Sequence, residues 1–362
     1  MEKVLIWGTG KISRQLVLKG RIDLRYEIVA FVDNNVTQKS FFGCPVISPD
    51  EIHMMSFESI FIATYYYKEI SDQIQNFFPE LTEHTYTLQE LYKKMIMDKY
   101  EKTEEKEIEE VLSYIKKHDL RMFPYEFGDD YREKTVEVKL DNECNLYYVK
   151  HNKKKLYFAE YFENEKRVRD YYLSVVTEQD KRSPHCYQTD SIHVSNGDIV
   201  VDAGAAEGLF ALDCIDKASK VYIIEADIRW IEALKKTFEP YRDKVIILNV
   251  FLTSVDSGRM RTLDSIVKEK IDFLKMDIEG FEWDVLNGAK RIMKVSEKIK
   301  CSICTYHRVF DGELIKASLE KYGIKCEYSY GYVWFNPIEG DYWDAVPDTL
   351  SRCLVRGFKV GK

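Results

Sequence analysis

The sequence lacks the long apolar run that a membrane-spanning segment requires. No stretch approaches the ~18 consecutive apolar residues that cross a bilayer. Residues 1–8 contain a charged pair and a short apolar run that ends in glycine, whereas a secretory signal has a basic flank and a longer apolar core. Charged residues of both signs make up 31% of the chain, as on water-soluble surfaces. We therefore predict a cytoplasmic protein without membrane insertion.

Basic residues are not in excess either. Lysine and arginine total 53 against 61 aspartates and glutamates, a formal net charge of −8. The one lysine-rich run, Lys153–Lys155, lies close to Glu160 and Glu163 and is typical of a solvated loop. Because proteins that follow nucleic-acid phosphates generally have a basic face, no nucleic-acid partner is expected.

The eight cysteines show no zinc-site pattern. Cys301 and Cys304 are the only close pair, and no second pair or histidine cluster completes a ligand set. That pair lies in a predicted strand, where cysteine packs as a small apolar side chain. The sequence therefore predicts buried free thiols in a reducing compartment.

Two successive patterns of alternating strands and helices divide the chain. The first begins with an apolar strand at residues 3–7 and ends in a helix at about 88–97, and the second begins at Ile199. This alternation indicates parallel βαβ units. We predict an α/β protein with two Rossmann-like domains and a small β-rich element between them. The expected segments are a nucleotide-binding-type domain at 1–98, a helical linker at 99–120, the β-rich element and a lead-in helix at 121–190, and the second domain at 191–362.

A strand, a glycine turn and a helix follow one another from Ile199 to Ile215. The turn reads Asp202-Ala-Gly204-Ala-Ala-Glu-Gly208. Glycine lets the backbone approach a ligand closely, and the helix start offers unpaired N–H groups. The carboxylate of Asp202 would repel a pyrophosphate but could accept hydrogen bonds from a cationic or hydroxylated ligand. S-adenosylmethionine, which carries a sulfonium, an ammonium and ribose hydroxyls, fits these groups.

The next predicted strand, at 220–224, ends in Glu225. An acid at the end of the second strand is where Rossmann-like sites bind ribose hydroxyls. Taken alone, an acidic strand end is usually a solvated loop residue. Its position directly after the Asp202–Gly208 turn favours the ribose role.

A second motif, at 271–282, is a buried strand whose end carries three acids. Its segment K-M-D-I-E-G-F-E, the upstream T-L-D at 262–264 and the D-A-G-A-A-E-G turn together resemble the FkbM-type methyltransferase family. The resemblance covers roughly the last half of the chain, and residues 178–187 are similar to the lead-in of some members. It implies a twisted, mostly parallel seven-stranded sheet, S-adenosylmethionine as methyl donor and a hydroxyl, often on a sugar, as acceptor. It also implies cofactor contacts at Asp202, Gly204, Ala205, Gly208 and Glu225, and substrate contacts at Lys275, Glu279 and Glu282.

Methyl transfer needs in-line positioning of the acceptor and removal of its proton. Asp277, in the second motif, and His307, which follows a predicted strand at the same sheet edge, are the predicted catalytic residues. A structural histidine bonded to a backbone group is the alternative for His307. A helix-start acid, favoured by the macrodipole, is the alternative for Glu282, and Glu279 could be a similar cap. Because the spacing of these acids defines no ligand set, no metal is predicted.

The first domain carries an incomplete dinucleotide fingerprint. Gly8-Thr-Gly10-Lys-Ile-Ser13 follows a strand and opens a helix, and Asp33 ends the second strand, but Ser13 replaces the third glycine. A tight strand-to-helix turn is the alternative. The wider run, with F-V-D-N-N, F-G-C-P-V-I-S-P and I-F-I-A-T, resembles the N-terminal Rossmann-like domain of bacterial sugar-nucleotide-modifying and polysaccharide-biosynthesis proteins. This implies a site for a sugar nucleotide or dinucleotide at Gly8, Gly10 and Asp33.

A late strand at 325–335 and a loop at 336–348, rich in acids and aromatic residues, are also predicted. If that strand is parallel to the others, the loop lies beside Asp277 at the carboxyl edge, where open α/β sheets bind ligands. The aromatic face of Trp343 suits a sugar, so Trp343 is a predicted substrate contact. A tryptophan that only packs against the sheet is the alternative.

Together these patterns predict an S-adenosylmethionine-dependent O-methyltransferase acting on a carbohydrate, sugar-nucleotide or glycan-precursor hydroxyl in cell-surface polysaccharide biosynthesis. One alternative is a nicotinamide-dependent, sugar-nucleotide-modifying enzyme, against which the altered fingerprint and the missing Tyr-x-x-x-Lys pair count. The other is a nucleotide-binding scaffold without turnover, which would need none of the acids Asp202, Glu225 and Asp277. N- or C-methylation and a homo-oligomer stay open.

Overall fold

The computed structural model describes residues 1–308, 310–335 and 348–359. Within these ranges no helix is both long and apolar enough to cross a membrane. The chain divides into two compact units. The first comprises residues 1–124 and 334–350, and the second comprises residues 125–333 and 351–362. The helix predicted as a linker belongs to the first unit.

The first unit alternates strands and helices along its N-terminal segment. In chain order these are β1 (Glu2–Trp7), α1 (Lys11–Leu18), β2 (Tyr26–Val32), β3 (Ser40–Phe41), β4 (Cys44–Ile47), β5 (Ser59–Ile62), α2 (Tyr67–Phe77), β6 (Thr85–Thr87), α3 (Leu88–Lys99) and α4 (Lys106–Lys117). The strands form one sheet in the order β3-β4-β2-β1-β5-β6. All neighbours are parallel except the β3–β4 pair.

Local sequence explains the two helices that end this segment. The side chain of Thr87 accepts a hydrogen bond from the Glu90 backbone N–H, and Glu90 accepts one from the Thr87 N–H, so α3 begins with a capping box. In α4 the apolar residues recur at helical spacing and are buried, whereas the Glu and Lys side chains between them face outward. The buried set is Ile108, Val111, Leu112, Tyr114 and Ile115.

The second unit begins with an antiparallel three-stranded sheet, β7 (Val138–Asp141), β8 (Leu146–His151) and β9 (Lys154–Tyr157), followed by α5 (Glu165–Glu178). The chain continues with β10 (Ile199–Ala203), α6 (Leu209–Cys214), β11 (Lys220–Ile224), α7 (Ile228–Phe238), β12 (Val245–Leu248), β13 (Phe251–Leu252), β14 (Met260–Arg261), α8 (Leu263–Ile266), β15 (Phe273–Met276), α9 (Glu282–Asn287), α10 (Lys290–Val295), β16 (Lys300–Cys304), α11 (Asp311–Glu320), β17 (Lys325–Tyr328), β18 (Tyr332–Trp334), β19 (Leu350–Arg352) and β20 (Leu354–Phe358).

Seven of these strands form the main sheet of the second unit, in the order β12-β11-β10-β15-β16-β20-β17. The first five are parallel, and β20 is antiparallel to both of its neighbours. The predicted seven-stranded, mostly parallel sheet is therefore confirmed. One face of the central strands and the helices α9, α10 and α11 share a core of aliphatic side chains that includes Leu274, Met276 and Ile315.

The late strand predicted at 325–335 is interrupted. β17 ends at Tyr328, and β18 begins at Tyr332, after Gly331 adopts a φ of +94°. A single strand across this range is therefore wrong, because the positive φ breaks the extended backbone. Since β16 and β17 are both antiparallel to β20, the carboxyl end of β17 does lie at the same edge as the ends of the parallel strands. The 336–347 loop lies outside the described residues, so the substrate role of Trp343 stays a prediction.

Candidate active site

The turn between β10 and α6 packs tightly against the turn that follows β15. Gly204 has a φ of +72°, and a Cβ there would overlap the backbone carbonyl oxygen of Asp277. Gly208 has a φ of +85°, and a Cβ there would lie 2.8 Å from the Phe238 ring. Ala205, between them, is buried. The two glycines are therefore required by the close approach of neighbouring groups, in addition to any contact with a ligand.

Glu225 connects this turn to the end of the neighbouring strand β11. Its Oε2 accepts a hydrogen bond from the Ala206 N–H at 2.8 Å, and its Oε1 accepts one from the Asp227 N–H at 2.7 Å. Burial raises the pKa of Glu225 against the effect of these two backbone donors. Two exposed apolar side chains, Ile228 and Phe251, follow β11 and β12 in the chain.

Asp202 and Lys275 form a buried ion pair beneath the glycine turn. They are register partners on the adjacent strands β10 and β15, and the Lys275 Nζ lies 3.0 Å from the Asp202 Oδ1. Lys275 also donates a hydrogen bond to the carbonyl oxygen of Gly204 at 2.5 Å. Burial lowers the pKa of Lys275, but the Asp202 and Asp277 carboxylates outweigh that effect and raise it. Asp202 is 0% and Lys275 4% exposed, so in this conformation the ion pair offers almost no surface to a ligand. Its structural role is to hold the glycine turn through the hydrogen bond from Lys275 to Gly204.

Asp277 lies immediately after β15 and is contacted by three side chains. The Tyr187 hydroxyl donates a hydrogen bond to its Oδ2 at 2.7 Å. The His185 Nε2 lies 3.6 Å from Oδ2, and the His307 Nε2 lies 3.3 Å from Oδ1. Burial would raise the pKa of Asp277, but His185, His307 and the ammonium of Lys275 lower it well below its usual range. Asp277 is therefore an ionised hydrogen-bond acceptor and a weak base.

His307, after β16, is surrounded by carboxylates. Its Nδ1 lies 2.9 Å from the Glu282 Oε1, and its Nε2 lies 3.5 Å from the Glu279 Oε2. Burial would lower the pKa of His307, but Glu282, Asp277 and Glu279 raise it to about 9. The imidazole therefore holds its proton at neutral pH. The contacts described for His307 include these three side-chain carboxylates.

The other two acids of the second motif differ in exposure. Glu282, the first residue of α9, is fully buried, and its Oε1 accepts a hydrogen bond from the Ile278 N–H at 2.9 Å. This contact closes the turn, as a helix-start acid does. Glu279 has a φ of +56°, and its side chain is 71% exposed. Of these two acids, both of them predicted substrate contacts, Glu279 is the accessible one.

Two overlapping groups of side chains bring their ligand atoms within 4.8 Å of one another. One consists of Asp277, Glu282 and His307, and the other of His185, Asp277 and Cys304. In each group the histidine lies far from Asp277 in the sequence, so the spacing of the residues defined no ligand set.

Four residues at this site were not predicted from the sequence: Glu178, His185, Tyr187 and Tyr306. The His185 Nε2 lies 3.0 Å from the Tyr306 hydroxyl, which places both beside Asp277. Glu178 ends α5, and its Oε2 lies 3.8 Å from the His185 Nδ1. The run 178–187, noted only as a lead-in, carried the signal for three of them.

Acids accumulate on this side of the sheet. Burial, together with the charges of Asp277 and Glu207, raises the pKa of Glu178 well above its ordinary value. Burial also raises the pKa of Glu207, although the Tyr171 hydroxyl donates a hydrogen bond to its Oε2 at 2.9 Å. Carboxylates that raise one another's pKa in a partly enclosed space favour a cationic ligand.

The glycine turn of the first unit has a different arrangement. The Thr9 N–H and hydroxyl both donate to the Asp33 Oδ2, at 3.0 and 2.6 Å. The Ser13 hydroxyl donates to the carbonyl oxygens of Gly8 and Ala63, at 2.7 and 3.0 Å, so it ties α1 to the sheet where a third glycine is absent. A Cβ added to Gly8 would lie 2.9 Å from the backbone oxygen of Ala63. A Cβ added to Gly10 would have no neighbouring atom within 4 Å.

Two protein-family models match the chain, one in each of its two units. The family model of the methyltransferase FkbM domain matches residues 127–329, more than half of the 362-residue chain, and the model described as C2185-like, N-terminal, matches residues 1–80. No curated protein matches the chain.

Three similar crystal structures are all of methyltransferases. Methyltransferase FkbM from Methylobacillus flagellatus KT is 16% identical, with 98% of this chain and 90% of that chain covered and a TM-score of 0.44. The tRNA m1G37 methyltransferase of M. jannaschii is 19% identical, with 60% and 55% covered and a TM-score of 0.33. Precorrin-6y C5,15-methyltransferase from Geobacter metallireducens GS-15 is 10% identical, with 46% and 82% covered and a TM-score of 0.32. At these TM-scores the likeness carries no information about the acceptor.

Proposed function

Because this chain belongs to the FkbM methyltransferase family and is a methyltransferase, we propose that it transfers the methyl group of S-adenosylmethionine to a hydroxyl of a carbohydrate or glycan precursor. The supporting observation is that three features lie at one edge of the main sheet of the second unit. They are the glycine turn after β10, the Glu225 carboxylate, and the turn after β15 with its acids and histidines. We place this reaction in cell-surface polysaccharide biosynthesis.

The proposed cofactor site lies between the ends of β10 and β11. Glu225 is positioned to accept hydrogen bonds from the ribose hydroxyls, although its oxygens already accept from Ala206 and Asp227. The exposed side chains of Ile228 and Phe251 supply apolar surface for the adenine ring. The sulfonium and ammonium would face Glu178 and Glu207, whose mutual repulsion a cation relieves.

In the transfer, the oxygen–carbon bond forms as the carbon–sulfur bond breaks, and the hydroxyl loses its proton. Asp277, which stays ionised, accepts the hydrogen bond of the hydroxyl and orients it. In the metal-free site His307, which holds its own proton, balances that charge. An ionised carboxylate of higher pKa is the stronger base, and the positive charge of the bound cofactor would favour the ionised form of Glu178. We therefore assign the acceptance of the proton to Glu178. The predicted catalytic pair Asp277 and His307 thus keeps a role in positioning, while the base is a residue that the sequence did not single out.

Calorimetric titration with S-adenosylmethionine, S-adenosylhomocysteine and NAD tests the cofactor. We expect the first two to bind, and Glu225→Gln to weaken both by about tenfold or more, because a buried charged hydrogen bond contributes roughly 1.5–3 kcal/mol. Asp227→Asn is the matched control, since Asn also caps a helix. Binding of NAD alone would favour the nicotinamide-dependent alternative, and binding of none of the three would favour the scaffold.

Radiolabelled methyl transfer to a panel of sugar nucleotides and oligosaccharides tests the acceptor and the base. We expect Glu178→Gln to lower kcat by about a hundredfold and, because Glu178 also faces the proposed position of the sulfonium, to weaken cofactor binding as well. Asp170→Asn, which removes an exposed acid from the same helix, is expected to match the parent. A parent-like kcat for Glu178→Gln would show that another group takes the proton.

We further propose a sugar-nucleotide site in the first unit at Gly8, Gly10 and Asp33. It is supported by three tyrosines, Tyr65–Tyr67, that follow β5 at the carboxyl edge of the sheet and are exposed, since aromatic faces suit bases and sugars. Calorimetry with the same sugar-nucleotide panel would show binding that Tyr66→Ala weakens and Phe77→Ala, another exposed aromatic residue of this unit, leaves unchanged. Equal effects of the two variants would contradict this site.

A further inference from the structure

The turn after β15, the start of α9 and the end of β16 each contribute one side chain to a compact cluster: Asp277, Glu282 and His307. We propose that this cluster binds a divalent first-row transition-metal ion. The binding proposal does not depend on the identity of the methyl donor or acceptor.

The geometry of the cluster matches a coordination site. One ligand atom from each residue lies within 4.8 Å of the others. The His307 Nε2 lies 3.3 Å from the Asp277 Oδ1, and the other ring nitrogen, Nδ1, lies 2.9 Å from the Glu282 Oε1. Ligands held at roughly 2.0–2.2 Å from one ion lie about 3–4 Å from each other. The distance from Nε2 to Asp277 matches that separation, whereas the Glu282 carboxylate would have to turn toward the ion. The three residues follow or begin regular elements, so their backbone positions are fixed by the sheet and by α9.

Glu282 provides the independent observation. Its side chain is fully buried, and its Oε2 has no hydrogen-bond partner among the residues that the structure describes. The contact to the Ile278 N–H and the proximity to His307 both involve Oε1. A helix-start role therefore uses only one of the two oxygens. Because burying an ionised carboxylate costs several kcal/mol unless it is compensated, the remaining oxygen is suited to a cation.

The charges around the cluster favour a cation as well. Asp277, Glu279 and Glu282 all lie close to the imidazole of His307, and Asp277 also lies 3.6 Å from the His185 Nε2. Of the nearby cations, Lys275 is held by Asp202, and Arg308 lies 3.8 Å from Asp284. Negative charge is therefore in excess at this point, and Asp311 adds to it from the start of α11.

The donor set indicates the class of metal. Two carboxylates and one imidazole form a mixed oxygen and nitrogen site, which suits Mn²⁺, Fe²⁺ or Zn²⁺, whereas Mg²⁺ and Ca²⁺ prefer oxygen ligands alone. Three protein ligands leave coordination positions open. If the proposed reaction holds, a hydroxyl bound there would have a lowered pKa.

Titration of the chelator-treated protein with Mn²⁺, followed by electron paramagnetic resonance of the free ion, tests the proposal. We expect about one Mn²⁺ per chain, displaced by Zn²⁺, and at least about tenfold weaker binding in Glu282→Gln and in Asp277→Asn. Asp284→Asn, which removes an acid from the same helix outside the cluster, should bind as the parent does. Circular dichroism identifies any variant that has not folded.

A second measurement is made first on the unaltered protein, so its main result does not depend on how a variant folds. Electron spin-echo spectroscopy of bound Mn²⁺ should show coupling to an imidazole nitrogen, and His307→Gln should remove it. Absence of that coupling, no binding of Mn²⁺ or Zn²⁺ at ~1 mM, or equal affinity in Glu282→Gln and the parent would each overturn the proposal. Calorimetry with S-adenosylmethionine on the same metal-free sample separates this outcome from a failure of the proposed function.

Discussion

The glycine turns of the two units begin from the same local sequence pattern and are stabilised differently. Each follows the first strand of a parallel sheet, and in each an acid that ends the next strand accepts backbone hydrogen bonds, Asp33 in the first unit and Glu225 in the second. In the second unit the turn rests on a buried ion pair and touches the turn after β15. Among the described residues of the first unit the turn has no such ion pair beside it; the Ser13 hydroxyl holds it by donating to the carbonyl oxygens of Gly8 and Ala63. Similar turn sequences therefore do not imply similar chemistry beside them.

The largest expected effect comes from breaking the ion pair. Lys275→Met leaves Asp202 buried without its cation, which should lower the free energy of unfolding by about 3–5 kcal/mol. The double variant Asp202→Leu with Lys275→Met should recover most of that loss, since apolar replacement of both partners is often close to neutral. Chemical denaturation measures both. If the single variant is as stable as the parent, the turn of the second unit does not depend on the pair.

Substituting alanine into the two turns sharpens the comparison. Gly204→Ala should destabilise the second unit by on the order of 2–4 kcal/mol, because the added Cβ overlaps the Asp277 carbonyl and the φ of +72° is unfavourable for alanine. Gly10→Ala should change stability by less than about 0.5 kcal/mol, because its backbone is extended and no atom lies within 4 Å of the added Cβ. Thermal unfolding of the two alanine variants measures this difference. Equal changes in their melting temperatures would contradict this account.

The serine of the first unit should contribute less than the ion pair of the second. Ser13→Ala removes the two hydrogen bonds from its hydroxyl and leaves the carbonyl oxygens of Gly8 and Ala63 with one donor fewer. We expect a loss of about 1–2 kcal/mol, measured by denaturation. Ser13→Gly, which restores the complete glycine fingerprint, should lose at least as much. A gain in stability for either variant would show that the hydroxyl is not what holds this turn.

The smallest effect concerns a partly buried acid outside both turns, Asp141, which serves as a reference for the others. The Tyr157 hydroxyl, the Glu143 N–H and the Lys155 ammonium lower the pKa of Asp141 to about 2. Because the folded pKa is below the unfolded value of about 3.9, this contribution is present above pH ~4 and is lost as the pH falls towards 2. Asp141→Asn should therefore differ from the parent in stability at pH 6 and converge with it near pH 2. A difference that persists at pH 2 would have another cause.

The sequence predicted the fold of the second unit well because its signals are local. The apolar strands and the turns at Gly204 and Gly280 are each encoded within a few residues, and their order is enough to assemble a parallel sheet. The break before β18 was missed, although Gly331 marks it. The positions of Asp277 and His307 at one edge follow from strand direction alone.

The protonation of the site could not be read from the sequence. Whether Asp277 acts as a base depends on His185, Tyr187 and Lys275, and two of these are about 90 residues away in the chain. Their contact exists only after the segment following α5 has packed against the sheet. The same holds for Asp202, whose complete burial against Lys275 is a property of strand register. A carboxylate at a strand end can be recognised in a sequence, but its pKa is set by the residues that fold around it.

The position of β20 has a consequence for how the protein is made. β20 pairs with β16 on one side and β17 on the other, although residues 329–353 intervene between β17 and β20 and part of that segment belongs to the first unit. During synthesis, β16 and β17 therefore emerge before the strand that joins them. Until residues 354–358 have left the ribosome, both expose unpaired N–H and C=O groups, which are prone to edge-to-edge association. The nascent chain thus depends on β20 to cover the edge of β16 beside its active site.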